Sequence, residues 1–470
     1  MSSIQRNTPA DLGSKSISRL LIQYSVPAII ASVATSLYNI VDSIFIGRGV
    51  GPMAIAGLAI TFPLMNLVAA FCMLIAVGGA TISSIFLGQN NNLKATDTVN
   101  NVLTLCLIHA VVFGGGSLLF LDEILHLFGA TAETLPYARE FMQIILYGTP
   151  VSFVLIGLNN VMRATGYPAK AMVTALISVV INIILCPIFI FSLEMGIRGA
   201  ALATVCGQTV GAAWVFWHFV SKKSFVRFSL SRPWLSAKIA RRIYAIGLSP
   251  FLMNVCACIV VVFLNKALLD YGGAIGNLAI GAYGILNRTT MFFVMIVFGV
   301  TQGMQPILGY NYGAGQWARV KRTLRLGIWV GSIITIVGFA VTEMFPDEVT
   351  RMFNDDPTLL RLSRDGFHIV LLCYPLIGAA IVIQNFFQSI GKPQLSIFLS
   401  VTRQLVFLLP LLLWLPTMWG LDGVWASMAG SDFISFVVTV VTLIVVQRRL
   451  NKKFNNIHSY AQPASTESKP

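Results

Sequence analysis

Lys222-Lys-Ser-Phe-Val-Arg-Phe-Ser-Leu-Ser-Arg-Pro-Trp-Leu-Ser-Ala-Lys-Ile-Ala-Arg-Arg242 is the longest basic stretch of the chain, with seven Lys and Arg. Its flanks decide the fold. On each side lie six long apolar runs, near 20–46, 54–87, 99–121, 137–162, 169–192 and 198–220 before it. After it they fall near 243–268, 277–308, 324–344, 364–389, 394–416 and 421–446. A membrane-crossing helix needs about 20 apolar residues, and composition agrees. Of 470 residues 56% are hydrophobic and 11% charged, and the mean hydropathy is +0.78. A soluble domain carries about 25% charge. The runs are continuous rather than alternating, which excludes a β-barrel. The expectation is an all-α polytopic membrane protein with twelve transmembrane helices, hereafter spans 1–12 in chain order.

The two halves repeat each other. Pro27 and Pro250 each sit early in an apolar run, and Gly88-Gln-Asn90 matches Gly309-Tyr-Asn311. Pro150 matches Pro375, Gly166-Tyr-Pro168 matches Gly391-Lys-Pro393, and Gly196-Ile-Arg-Gly199 matches Gly420-Leu-Asp-Gly423. The offsets stay between 221 and 225 residues, so a six-helix unit is duplicated. Six is even, so the copies share orientation and are related by an axis along the membrane normal. The predicted organisation is an N-terminal segment 1–19, an N-lobe 20–221, a connector 222–242, a C-lobe 243–447 and a tail 448–470.

Position then explains the net charge of +14. With both termini inside, 23 of the 32 Lys and Arg fall in the N-terminus, the inner loops and the tail, and six fall in outer loops. The positive-inside rule places both ends in the cytoplasm. The connector then reads as a basic segment resting on anionic lipid rather than as a nucleic-acid arm. The polar N-terminus, followed by a long apolar run, gives no expectation of a cleavable signal peptide. The seven cysteines lie in apolar runs and read as reduced and structural, with no metal site.

Ionisable groups inside spans are costly and therefore candidates for function. Thr35, Tyr38, Asn39 and Asp42 lie at i, i+3, i+4 and i+7 of span 1, one helical face that should line a cavity. A carboxylate stripped of water favours its neutral form, so Asp42 suits proton uptake, or a sodium ion given further oxygen ligands. The alternative is an interfacial Asp closing the outer helix end near Gly47 and Arg48. Span 5 carries Ser178, Asn182 and Cys186 at four-residue spacing, and span 6 carries Thr204 and Gln208. Spacing leaves open whether these serve a site or bond neighbouring helices. In the second half, Arg403 and Asp432 are positioned to pair across spans 11 and 12, whereas Lys266 and Arg288 read as snorkelling span ends. The first half carries no Lys or Arg well inside a span. Gly114, Gly115 and Gly116 lack the Lys-Ser/Thr of a phosphate loop, and the five histidines show no metal-ligand spacing. An enzyme is not expected. Without an ATP-binding domain, energy comes from an ion gradient, or the protein only equilibrates its substrate.

Six stretches add a resemblance: Pro27 through Asp42-Ser-Ile-Phe-Ile-Gly47, Leu158-Asn-Asn-Val-Met-Arg-Ala-Thr-Gly166 and Ile181-Asn-Ile-Ile-Leu-Cys-Pro187 in the first half, with Gly199-Ala-Ala-Leu-Ala-Thr204, Gly303-Met-Gln-Pro-Ile-Leu-Gly-Tyr-Asn311 and Gly420-Leu-Asp-Gly-Val-Trp425 beyond. In this order they resemble the multidrug and toxic compound extrusion (MATE) family, its MepA-like bacterial branch, from about residue 15 to 450. The resemblance implies two six-helix lobes around a V-shaped cavity in the plasma (inner) membrane, and export of lipophilic organic cations in exchange for H⁺ or Na⁺. It assigns ion coupling to Asp42, Asn182 and Thr204, cavity lining to Asn159 and Asn160, and bending of span 1 to Pro27. Many members carry a second Asp where this chain has Cys186. One carboxylate beside a thiol makes a poor sodium cage, so a proton is favoured. No cofactor and no nucleic-acid partner is expected, and the unit is expected to work as a monomer. The rivals are a lipid-linked oligosaccharide or lipid flippase of the same superfamily, which would need a cationic cavity, and a non-transporting receptor or scaffold, which the duplication disfavours.

Overall fold

A computed structural model of the chain describes residues 10–460 except 223 and 354, and omits the side chains of 39, 52, 453 and 455–460. Parts of the predicted N-terminal segment, connector and tail, and the side chain of Asn39, therefore lie outside the described residues.

No strand occurs among the described residues. Span 1 is Ile17–Gly49, span 2 Pro52–Gly88, span 3 Asn92–Leu119, span 5 Pro168–Ser192 and span 6 Gly196–Val220. Span 4 is a broken pair, Leu135–Tyr147 and Thr149–Ala164, bent by 54° beside Pro150. Spans 7 and 8, Ala237–Gly272 and Gly276–Gly313, part at Gly273, and span 9 is Trp317–Met344. Span 10 is Pro357–Ser389, seven residues longer at its start than the sequence reading, because Asp356 caps it through the amides of Thr358 and Leu359 at 2.9 Å. Spans 11 and 12 divide Pro393–Lys452 at Gly420. The twelve helices are those of the sequence reading.

The duplication survives in the backbone. Gly166 and Gly391 both take positive φ, +109° and +71°, and each is followed two residues later by a proline opening the next span. Gly196 and Gly420 repeat the pattern at +58° and +56°. Only glycine adopts such angles without strain, so each turn is fixed in both copies.

The apolar core divides with the chain. One cluster draws almost entirely on residues 12–246, and two smaller ones on residues beyond 264 with Leu21 as the main visitor. Between the halves, contact is backbone-close. Gly78 lies against Ile243 and Gly247 against Leu74, while Gly299 and Gly303 face Ile29 and Ser25. Gly88 and Gly313 face Tyr310 and Ile85. All of these residues belong to the half of the bundle that carries the termini and connector, here called the basic face. The backbone-close contacts between the lobes thus lie at the basic face. Polar bonds reinforce the seam: Gln305 Nε2 donates to Thr81 Oγ1 at 2.8 Å, and Ser25 Oγ to Val300 O at 3.4 Å. A short helix, Asp11–Ser14, is tied to the opposite half, where Asn311 and Arg319 both donate to Leu12 O at 3.0 Å.

The connector does not hover. Arg232 forks onto Asp97 Oδ1 and Oδ2, both at 2.7 Å. Asn100 exchanges bonds with Ser229, and Asn101 accepts from the Ser236 amide at 2.7 Å. Three polar residues in the first turns of span 3 thus dock the connector onto the N-terminal half.

Candidate functional site

Span 1 runs unbroken through Pro27 to Gly49, carrying Asp42 about two turns short of its end. The carboxyl does not close that end. Asp42 turns sideways into the N-terminal half, is only 8% exposed, and its Oδ1 accepts from Cys186 Sγ of span 5 at 2.8 Å. The interfacial-cap alternative is thereby removed. Phe45 packs edge-on against Phe191, at 6.4 Å between centroids, and Gly49 lies against Ile190 and Phe191, which holds spans 1 and 5 together above the carboxyl. Span 5 changes to a π-helical turn at Ile188–Ser192, directly after Pro187. Pro187 supplies no amide to the ladder, and such turns recur at functional sites.

One turn below Cys186 on the same face, Asn182 Nδ2 donates to Thr204 Oγ1 of span 6 at 3.0 Å, and Thr204 donates on to Ala200 O at 3.2 Å. Asn182 and Thr204 are both buried. Asp42, Cys186, Asn182 and Thr204 thus form one column across spans 1, 5 and 6. No Lys, Arg or His bonds Asp42 among the described residues. The thiol of Cys186, expected to be structural, instead supplies the carboxyl's hydrogen bond. Composition hides this, since a cysteine in an apolar run looks like packing.

The other sequence candidates fall in two groups. Thr35 is exposed and bonds Ala31 O at 2.8 Å, and Tyr38 stands one turn from Asp42 on the same face of span 1. Ser178 bonds Thr174 O and presses on Gly211 of span 6, while Gln208 accepts from Ser152 of span 4. Asn159 Nδ2 donates to Ala171 O of span 5 at 3.2 Å, leaving its buried Oδ1 without a partner. Asn160 accepts from Arg163, whose Nη1 donates to Gln302 of span 8 at 2.6 Å. Arg163, 7% exposed in the last turn of span 4, bridges the lobes. The sequence reading ends span 4 near 162 and expects no basic residue well inside a first-half span; Arg163 indeed sits in the last turn, but it is buried rather than turned to water. The signal was present in the sequence, since Asn160 and Arg163 are one helical turn apart.

In the second half Arg403 Nε donates to Asp432 Oδ1 at 2.8 Å, the pairing expected from position. Arg403 lies in a π-helical turn, Thr402–Leu408, as span 5 does at its outer end. Removing one partner from a fully buried pair costs about 3–5 kcal/mol. Arg403 keeps a third of its side-chain surface, so the loss in Arg403→Gln should lie below that range. We expect a lowered Tm for Arg403→Gln that Asp432→Asn partly restores, read as the coupling energy of a double-mutant cycle. Additive losses would mean the pair does not interact.

Two six-helix lobes of membrane-spanning length, meeting at one face and holding a buried carboxyl, define a multi-pass membrane protein of transporter architecture. The family model MatE matches residues 27–188 and 245–414, and the chain belongs to that family. The multidrug export protein MepA of Staphylococcus haemolyticus (strain JCSC1435) is 28% identical over 91% of this chain and 93% of its own length. That of Staphylococcus aureus (strain NCTC 8325 / PS 47) is 24% identical over 92% and 94%. Among solved structures, the MATE multidrug transporter DinF-BH in complex with R6G is 36% identical with a TM-score of 0.85, covering 94% of this chain and 98% of that one. An outward-facing MATE family transporter of the MOP superfamily shares the fold at a TM-score of 0.87 and 23% identity, over 93% and 97%.

Proposed function

We propose that the chain is a secondary active exporter that removes lipophilic organic cations from the cytoplasm in exchange for a cation, with the proton favoured over sodium. The observation that carries this reading is Asp42, a buried carboxyl whose side-chain bond is to a neutral thiol and which has no cationic partner among the described residues. Such a group is costly as a lone anion and is relieved by loading a cation. The MepA proteins, named multidrug export proteins, and DinF-BH with its R6G support the substrate class. The basic face is taken as cytoplasmic on the charge bias, so lobes in backbone-close contact there correspond to a state closed to the cytoplasm. Span 1 links the two regions. Ser25 and Ile29, which flank Pro27, are the residues facing Gly303 and Gly299 of span 8. A change in the Asp42 column that bends span 1 at Pro27 therefore alters the lobe seam directly.

The flippase rival needs guanidinium groups free to hold a phosphate. Arg163 is committed to Gln302 and Asn160 and Arg403 to Asp432, which disfavours it, and leaves Arg288, exposed on span 8 without a partner among the described residues, as the guanidinium that reading would have to use. The deciding experiment is efflux of a fluorescent cation from proteoliposomes under separate proton and sodium gradients. We expect a proton gradient alone to drive it, and strict dependence on sodium would reverse the ion assignment. Cys186→Asp places a second carboxylate beside the first and favours a hard cation. We expect sodium to drive efflux in that variant, measured in the same vesicles. An unchanged response would show that ion choice is made elsewhere.

A further inference from the structure

The start of span 9 and the end of span 12 leave a groove on the C-terminal half, a cavity of about 230 Å³ lined by Lys321, Leu324, Arg325, Ile328, Trp329 and Gln447. We propose that this groove is a binding site for an anionic phospholipid of the basic-face leaflet. The side chains are layered as that ligand requires. Lys321, Arg325, Ile328 and Trp329 lie at i, i+4, i+7 and i+8 of span 9, one helical face. Lys321 to Trp329 covers about 12 Å along the axis, the passage from headgroup to acyl chain. The two cations sit toward the helix start, with Gln447 on span 12 facing them across the groove. Leu324 and Ile328 provide an apolar wall below, and Trp329, 64% exposed, extends it at the level of the acyl chains.

Three observations separate this from ordinary surface charge. Lys321 and Arg325 have no ion-pair or hydrogen-bond partner among the described residues, whereas Arg319 is spent on Lys15 O at 2.6 Å and on Asn311. No Asp or Glu occurs in 317–329 or 443–453, while Arg448 and Arg449 add charge at the same level. Side chains of spans 9 and 12 tie the end of the groove together. Trp317 Nε1 donates to Asn451 at 2.6 Å, and its ring stacks on Phe454 with centroids 5.3 Å apart. Two free cations over an apolar slot between transmembrane helices match a phosphate monoanion bearing acyl chains.

Native mass spectrometry of the purified full-length protein tests this with phosphatidylglycerol and phosphatidylcholine. The readout is binding itself and stands apart from the proposed efflux. We expect retained phosphatidylglycerol, at least tenfold less of it in Lys321→Gln/Arg325→Gln, and little phosphatidylcholine in either. The thermal stabilisation by phosphatidylglycerol should vanish in the same variant, whose exposed side chains leave folding intact. Equal retention of the two lipids, or equal loss in the connector variant Lys222→Gln/Arg227→Gln, would overturn the site as diffuse attraction. Displacement of the lipid by millimolar inorganic phosphate would overturn it as well, by showing a free-anion site.

Discussion

Asp42→Asn is expected to abolish gradient-driven efflux while leaving the protein folded. This is the largest effect expected of any side chain here. The substitution preserves volume, and its amide oxygen still accepts from Cys186 Sγ, which lies 2.8 Å from the native carboxyl. What it removes is the ability to change charge. Burial of an unpaired carboxylate opposes folding, so an amide at this position should hold Tm level or raise it. A loss of transport therefore cannot be ascribed to collapse of the lobe. The expected result in proteoliposomes is at least a tenfold fall in efflux driven by either gradient, with binding of the organic cation retained. The reason is that coupling needs a cation to alter the equilibrium between two lobe arrangements, and a ligand shifts an equilibrium only by its differential affinity for the two states. The amide has no such differential affinity to offer a proton. Full efflux by Asp42→Asn would show that the buried carboxyl is structural and that coupling lies elsewhere.

Much of the fold was legible because it is written in long-range regularities. Landmark pairs such as Gly166 and Gly391 keep offsets between 221 and 225 residues, and the backbone gives both of these glycines a positive φ. Apolar length sets the helices, but spans 3, 9 and 10 begin seven residues earlier than read, at Asn92, Trp317 and Pro357, because polar first turns extend them, behind side-chain caps from Asn91 and Asp356 in spans 3 and 10. Asp42, Asn182 and Thr204 were legible as polar side chains where the membrane tolerates few. Their mutual geometry was not. Helical spacing places residues on a face, but which faces meet is decided by tertiary packing, so neither the Asn182–Thr204 bond nor the thiol opposite Asp42 follows from periodicity. Arg163 was missed for a related reason. At a span end an arginine ordinarily snorkels to water, and only the approach of Gln302 from the other lobe keeps it inside. The connector's docking was missed because Asp97, Asn100 and Asn101 look like a polar helix start until Arg232, Ser229 and Ser236 arrive.

Gly247→Leu is expected to abolish efflux through the seam rather than the site. Gly247 lies against Leu74 with no room for a Cβ, and the obstructing atoms are backbone of span 2 that cannot rotate away. A side chain there must displace span 7 from span 2. Within a close-packed core such overpacking costs about 1–3 kcal/mol. Here the contact lies within one apolar cluster, which joins Ile243 and Ile246 of span 7 to Cys72 and Ile75 of span 2. We expect the strain to be relieved by parting spans 2 and 7 at the basic face, where Gly78–Ile243 is a second backbone-close contact of the same pair. The contacts that would loosen with it are those flanking Pro27, Ser25 with Gly303 and Ile29 with Gly299, together with the Arg163–Gln302 and Gln305–Thr81 bonds. Hydrogen exchange should accordingly rise in residues 21–31 and 297–307 and stay unchanged in the opposite halves of the same helices. Gly115→Ala is the control, since a Cβ there meets nothing, and it should leave both exchange and efflux as they are. A Gly247→Leu protein with normal efflux and unaltered exchange would show that the seam is plastic. The column at Asp42 would then have no rigid contact through which to act, because span 1 reaches the other lobe along this same face.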